Sequence, residues 1–182
     1  METLRFTTLD SKVGSLFLAA SEKGLVALEF DKGEVVRGGV SEVPRRSPRH
    51  FREGTTKLRF EESARALAPY VRELKEYFAG ERRGFEFPLD LRGTDFQIAC
   101  WRALLAIPYG ETRTYADIAR AVGKANAFRA VGMANNRNPI AIVVPCHRVI
   151  ASDGKLCGYG GGLDVKRKLL ELEGALTGTL AA

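Results

Sequence analysis

No stretch of this 182-residue sequence stays apolar over the roughly 20 residues that a bilayer-spanning helix needs, which excludes a helical membrane anchor. The opening residues, METLRFTTLD, contain no basic segment followed by an apolar stretch and a small-residue cleavage site. The expectation is an intracellular protein, cytoplasmic or, in a eukaryote, nuclear. Cysteine and histidine are scarce: Cys100, Cys146, Cys157, His50 and His147 are all there are. Three cysteines cannot complete a disulfide framework, none shows CxxC spacing, and two histidines add few ligands, so no metal site is expected. The remaining question about cysteine is whether one of the three is a nucleophile.

What the chain does have is a soluble globular composition, 45% hydrophobic and 27% charged, enough for one core plus a small satellite domain. Its formal charge is +6 and its pI about 9.4. An excess of cations favours polyanionic partners, because neutralising phosphates releases counterions, although a solvated basic face would give the same count.

Apolar side chains at two-residue steps (Leu4 and Phe6, Leu16 and Leu18, then Val26, Leu28 and Phe30), punctuated by Gly14 and Gly24, predict a small antiparallel sheet. From Asp31 to Phe60 the alternation dissolves into glycine, proline and a basic cluster of Arg45, Arg46, Arg49, Arg52, Lys57 and Arg59, which reads as a loop. Leu67, Val71, Leu74 and Phe78 give a helix stopping near Gly80, with Pro69 suggesting a late start to its regular part. Phe85 to Leu91 reads as extended, and the domain boundary is placed near Gly93, giving domains 1–92 and 93–182.

Beyond the boundary the chain turns helical. Thr94 or Asp95 can cap a helix through Trp101 and Leu105 that stops at Ile107-Pro108, with Cys100 inside it as a small hydrophobe. Tyr115 to Val122, a turn at Gly123, and a second helix from about Asn126 to Asn135 suggest a helix-turn-helix. Ala127, Ala130 and Gly132 leave its surface smooth enough to approach a groove, and Arg129 projects as a single long cation, unless it serves as an ordinary surface charge. An apolar run, Ile140 to Val144, then reads as a strand leading into Pro145-Cys146-His147-Arg148-Val149-Ile150. A thiol near pKa 8.5 is only a few per cent ionised at neutral pH, so a nucleophilic Cys146 needs a base. His147 is adjacent and could reach it directly or through a water, and a carboxylate could orient the imidazole, but many acids qualify.

The run Pro145-Cys-His-Arg-Val149, preceded by Asn138-Pro139 and followed by Gly158-Tyr-Gly-Gly-Gly-Leu163, resembles the active-site signature of the O6-alkylguanine-DNA alkyltransferases, or methylated-DNA-protein-cysteine methyltransferases. The resemblance covers about Asp95 to Gly174; the N-terminal part fits the family's ribonuclease-H-like domain more loosely. It implies a mixed α/β (α+β) chain: a small N-terminal ribonuclease-H-like domain with an antiparallel sheet, then a mostly helical domain carrying the helix-turn-helix and an active-site strand or loop. It implies irreversible, single-turnover repair of double-stranded DNA, in which the alkyl group of O6-alkylguanine passes to Cys146 after the nucleotide is flipped out. O4-alkylthymine is left open as a second substrate. A monomer without cofactor is expected, with cooperativity on DNA open.

By position, the resemblance makes His147 the group that takes the thiol proton through a water, Glu173 the acid that orients it, and Asn138 the hinge beneath the site. Arg129 becomes the finger that fills the gap in the duplex, and Tyr115 the residue that helps rotate the nucleotide and donates toward the base. Ala127, Ala130 and Gly132 face DNA, and Val149, Tyr159, Gly160 and Gly161 line the pocket, the carbonyls of Cys146 and Val149 accepting from the guanine amine. Phe128 and Met133 are bulkier than the residues often found on this family's recognition helix, and Gly160 and Ala141 stand where some relatives carry serine and proline. Three rivals remain: a lesion-binding module, which would lack the acceptor cysteine; a cysteine hydrolase, which would turn over without DNA; and a transcription regulator, which would prefer one undamaged site.

Overall fold

The computed structural model describes residues 2–30 and 58–176, and within these the chain forms two compact units, Met1–Arg92 and Gly93–Ala182. In the first unit, β1 (Glu2–Ser11), β2 (Gly14–Ala20) and β3 (Leu25–Phe30) form an antiparallel meander. The fourth strand, β4 (Leu58–Glu62), pairs parallel to β1 with Glu2 opposite Leu58, so the sheet order is β3-β2-β1-β4. The sheet is therefore mixed rather than purely antiparallel, and residues 58–60, expected in a loop, belong to a strand. The expected basic loop otherwise lies outside the described residues, as do Arg45, Arg46, Arg49, Arg52 and Lys57, whereas Arg59 sits on β4.

In β1, Leu4 and Leu9 are both buried although their spacing places them on opposite faces, and β2 is buried over Leu16 to Ala20 on both faces, which one-sided alternation does not predict. Phe17 and Ala19 join Leu4, Val26 and Ala27 in one cluster, with Phe6, Leu58 and Phe60 packed against it. Gly24, at φ +149, turns β2 into β3 while the backbone of Pro88 presses on it; a Cβ there would lie 2.4 Å from the Pro88 carbonyl oxygen. That approach lets the extended segment before Gly93 bond to the edge of β3, through Leu25 N–H to Pro88 and Asp90 N–H to Leu25.

Helix α1 (Ala64–Ala79) starts earlier than Pro69 suggested. Ser63 caps it by accepting from Ala66 N–H, and the ladder is already running at Leu67 N–H to Ser63. The cap and the burial of Leu67 and Leu74 outweigh the hydrogen bond lost at the proline. Gly80, in the left-handed conformation, ends the helix by donating to Tyr77 and Glu76.

The second unit contains α2 (Asp95–Leu105), α3 (Tyr115–Ala121), α4 (Phe128–Asn136) and α5 (Leu163–Leu172), with a two-stranded parallel ribbon of β5 (Arg113–Thr114) and β6 (Val149–Ile150). Thr94 and Thr114 each close a capping box, with Gln97 and Asp117 respectively, so α2 and α3 begin where their side chains satisfy the first amide groups. Trp101 Nε1 donates to the Ala134 carbonyl at 3.0 Å, tying α2 to α4. Ile118, Ala119, Val131 and Ala134 pack inward, and the chain between α3 and α4 turns through Gly123 at φ +72. A helix-turn-helix pair results, its second helix beginning at Phe128 rather than Asn126, because Lys124 to Ala127 closes a turn first. Among the described residues no helix is long and apolar enough to cross a membrane.

Candidate active site

The apolar run Ile140 to Val144, expected to be a strand, is a buried turn. Val144 N–H reaches back to the Ile140 carbonyl at 2.9 Å, and Ile142 sits at φ +72. A β-branched residue in the left-handed region costs of order 1–3 kcal/mol, a strain kept only where the surroundings over-determine it. Here the determinant is Asn138. Its Oδ1 accepts from Ile140 N–H at 3.0 Å, and its Nδ2 donates to the Val144 carbonyl at 2.7 Å. The turn feeds a single 3₁₀ turn, Cys146–Arg148, so the three residues at the chemical centre lie on a tight helical turn and not at a strand end.

Asn138 Nδ2 also donates to the Cys146 sulfur at 3.1 Å. Cys146 and His147 are both buried, Cys146 keeping 8% of its residue surface and His147 none. Burial pushes the thiol up, opposed by the Asn138 bond and by the nearby Lys166 ammonium. The resting group is a thiol, and a base is required.

His147 is the candidate. Its Nε2 lies 2.8 Å from Glu173 Oε1, both side chains being fully buried. Burial drives the imidazole pKa below its ordinary value of 6.5 despite the carboxylate beside it. Burial would raise the Glu173 carboxyl, but hydrogen bonds from His147 and Arg148 prevail and hold it at about 2. An ionised carboxylate can only accept, so Nε2 carries the proton of the neutral ring, and Nδ1, which makes no hydrogen bond to the described protein atoms, keeps the basic lone pair.

Arg148 was not singled out from the sequence, yet it completes this arrangement. Its Nε donates to Glu173 Oε2 at 2.8 Å and its Nη2 to Oε1 at 3.0 Å, a two-point clasp that fixes the carboxylate plane. Its Nη1 donates to the Ile107 carbonyl at 2.6 Å, and its guanidinium lies over the Tyr109 ring, whose hydroxyl donates to Leu172. Gly110, at φ +81, lets the chain pass the Glu173 backbone, where a Cβ would meet the carbonyl oxygen at 3.0 Å.

Lys166 was missed too. It has no exposed surface, and its Nζ donates to the Val149 carbonyl at 2.6 Å and the Cys157 carbonyl at 2.8 Å. Burial lowers its pKa, while the thiols of Cys157 and Cys146 act to raise it. One signal in the sequence could have found it: Lys166 shares the α5 stripe of Leu169, Leu170 and Glu173, all buried. The Val149 carbonyl, expected to accept from a guanine amine, already takes one hydrogen from Lys166, and the Cys146 carbonyl takes one from Val149 N–H. Each retains a second lone pair.

Tyr115 opens α3, and its hydroxyl accepts from the Cys157 thiol at 3.7 Å. Burial, with Cys157 and Cys146 adding to it, raises its pKa well above the ordinary phenol value, so it stays a donor. Tyr159 stands edge-on to the His147 ring, at 6.4 Å between centroids. Gly160 and Gly161 follow in the loop that Gly162 N–H closes onto Tyr159, and a Cβ at Gly160 would meet open space. Ala127, Arg129, Ala130 and Gly132 lie on α4 or at its cap, with Arg129 and Ala130 exposed and Arg129 in no ion pair with the described residues. Gly132 faces Tyr115: a Cβ there would touch the ring at 3.7 Å. Cys100 is buried in α2 as expected of a small hydrophobe. Among the described residues no group of three or more His, Cys, Asp or Glu side chains could hold a metal ion.

Comparison with known proteins matches residues 4–91 to the ribonuclease-like domain and residues 95–175 to the DNA-binding domain of 6-O-methylguanine DNA methyltransferase. The chain is 47% identical over 171 residues to a methylated-DNA–protein-cysteine methyltransferase of Methanosarcina barkeri, covering 92% of this chain and 96% of the relative. It is 49% identical over 172 residues to the protein of that name from Mycolicibacterium paratuberculosis, covering 93% and 92%. Among solved structures, the Mycobacterium tuberculosis O6-methylguanine methyltransferase aligns with a TM-score of 0.78 at 44% identity, over 97% of this chain and 96% of that one. A crystal structure of Mycobacterium tuberculosis OGT in complex with DNA aligns at 0.76 and 45%, over 95% and 93%.

Proposed function

This chain belongs to the methylated-DNA–protein-cysteine methyltransferase family, and from that membership we propose that it repairs double-stranded DNA by moving the alkyl group of O6-alkylguanine onto its own Cys146. The observation that carries the reading is the pair of contact chains Asn138–Cys146 and His147–Glu173–Arg148, which supplies a hydrogen-bonded thiol, a neutral base and a fixed carboxylate.

The chemistry balances without a cofactor. His147 Nδ1 takes the thiol proton, relayed by water as the resemblance implies. The sulfur attacks the alkyl carbon, forming the S–C bond as the C–O bond breaks. The electron pair stays with the purine, which takes a proton from solvent as His147 returns its own, and the guanine remains in the DNA. Tyr115, kept protonated, donates toward the departing base, and the ammonium of Lys166 stabilises negative charge at the sulfur. The product is a thioether with no easy route back to a thiol at neutral pH, so each molecule reacts once.

A guanine O6 within a duplex cannot be approached in line by a buried sulfur, so the nucleotide must leave the stack, at a cost of a few kcal/mol. The exposed Arg129 on α4 is the group assigned to fill the gap, with Ala127, Ala130 and Gly132 along the groove and Val149, Tyr159, Gly160 and Gly161 around the extruded base. Both the DNA contact and the transfer are assigned to 93–182. The protein acts as a monomer in the compartment that holds the DNA, the cytoplasm of a prokaryote or the nucleus of a eukaryote.

The test is intact-protein mass after incubation with a duplex carrying one O6-methylguanine, followed by digestion to locate the change. A stoichiometric gain of one methylene on Cys146, absent in Cys146→Ala, is the expected result. Selective binding of the damaged duplex without mass gain would leave only lesion recognition.

A further inference from the structure

Helix α4 opens with two adjacent exposed side chains of different chemistry. Phe128 is 48% exposed, and the Arg129 guanidinium carbon stands 5.8 Å from the centre of its ring, within cation–π range. One turn on, Gly132 adds no side chain of its own, so the surface beside Phe128 falls away toward Tyr115. Phe128, Gly132, Tyr115, Ala116, Ala151 and Ser152 line a concave pocket of about 440 Å³. Tyr115 is the residue whose hydroxyl feels the Cys146 sulfur. Phe128 thus shares a concave surface with Tyr115, on the helix assigned above to DNA.

An exposed phenyl ring cannot read base edges by hydrogen bonding and gains nothing from phosphates. It gains from covering the face of an unstacked base, and apolar wedges at opened base steps hold duplexes bent. Resting on the base-flipping function proposed above, we propose that Phe128 and Arg129 form one composite wedge in the duplex. When the nucleotide leaves the stack, the guanidinium fills the gap, and the Phe128 ring covers the exposed face of a flanking base. The cation–π contact holds the two side chains together before DNA arrives, so less freedom is lost on insertion.

The consequences separate Phe128 from a phosphate contact and from a pocket wall. Removing a base-stacking aromatic lowers affinity on the order of 10- to 100-fold. It should leave the dependence of binding on salt unchanged, whereas loss of a phosphate-binding cation reduces the salt slope by about 1. The experiment compares wild type, Phe128→Ala, Phe128→Leu and Phe128→Trp in the full chain. It measures single-turnover transfer, at subsaturating protein, from a duplex with one O6-methylguanine flanked by 2-aminopurine, and from free O6-benzylguanine. Phe128→Ala is expected to lose at least tenfold more rate on the duplex than on the free base and to lose the 2-aminopurine signal at an unchanged salt slope. Trp should restore both, and Leu only part. Equal losses on duplex and free base, a duplex rate within twofold of wild type, or a salt slope reduced by about 1 would each overturn the wedge. If wild type itself transfers nothing from the duplex, the proposed function fails; if wild type transfers and Phe128→Ala matches it, only the wedge fails.

Discussion

Asn138 is bonded directly to the nucleophile, its Nδ2 donating to the Cys146 sulfur at 3.1 Å. The same nitrogen donates to Val144, and Oδ1 accepts from Ile140, so neighbours on both sides fix which end of the amide faces the sulfur. One side chain therefore builds the strained turn and aims a donor at the reacting atom.

Asn138→Ala separates these two duties. It orphans the buried Ile140 N–H, at about 1–3 kcal/mol, and leaves the Val144 carbonyl with the Cys146 N–H as its donor, so the melting temperature should fall by several degrees. It also removes a donor that stabilises the thiolate, so the thiol pKa should rise further and transfer slow by roughly tenfold or more. Thermal melting beside the pH dependence of Cys146 alkylation by iodoacetamide reads both. A lower melting point with an unchanged thiol titration would reduce Asn138 to a structural role.

The reaction should not lose rate at pH 6.5, where an ordinary histidine gains its proton. Burial lowers the His147 pKa and raises that of Cys146, so the reactive pair of neutral imidazole and thiol dominates across neutrality. A plot of single-turnover rate against pH with free O6-benzylguanine should be flat through 6.5, its acid limb lying below. A midpoint at 6.5 or above would mean that a solvent-exposed base, and not His147, sets the rate.

Glu173 makes stability depend on acid. Its carboxyl stands at about 2 in the folded chain against an ordinary 4.5. A depressed carboxyl contributes its stability in full above 4.5 and loses it as pH falls from 4.5 toward 2, about 3 kcal/mol in all. The buried neutral His147 works in the same direction below 6.5, because the unfolded chain binds that proton more readily. Glu173→Gln should flatten the acid part of a stability–pH curve. It should also cost about 3–5 kcal/mol at neutral pH by leaving Arg148 buried without its carboxylate, and slow transfer about 10²- to 10⁴-fold by freeing the imidazole tautomer. Urea unfolding at several pH values, paired with transfer rates, checks all three.

The legible parts of this chain were those whose local signals agree with their surroundings. Alternation in β1 and β3, the cap offered by Thr94 or Asp95 and the Gly123 turn each declared an element, and the Cys146-His147 signature declared the chemistry. β4 was hidden because its partner, β1, lies some fifty residues back and its residues, LRFEE, continue a basic, irregular stretch. Ile140 to Val144 misled because a short apolar run fits a buried turn as well as a strand, and the deciding interaction comes from Asn138, a polar residue outside the run. Arg148 and Lys166 escaped because charged residues are rarely buried, and only the three-dimensional pairing with Glu173 and with two carbonyls explains why these are.

Lys166 gives the sharpest separation between stability and chemistry. Its buried ammonium contacts two carbonyls and, among the described residues, no carboxylate, so it meets a desolvation cost that an apolar side chain would not. Lys166→Met keeps most of the stem, removes that cost, and orphans the Val149 and Cys157 carbonyls at about 1–3 kcal/mol each, so the two effects oppose and the melting temperature should change little. The chemistry has no such offset, because the thiolate loses a cation that favours its charge. Transfer should slow about 10- to 100-fold, the size of one lost charge interaction of about 1.5–3 kcal/mol, and by the same factor on duplex and on free O6-benzylguanine. Arg129→Ala should show the opposite pattern, a loss confined to the duplex, if its side chain fills the gap in the DNA as proposed. A Lys166→Met protein that reacts normally with the free base would move the ammonium from thiolate stabilisation to loop anchoring.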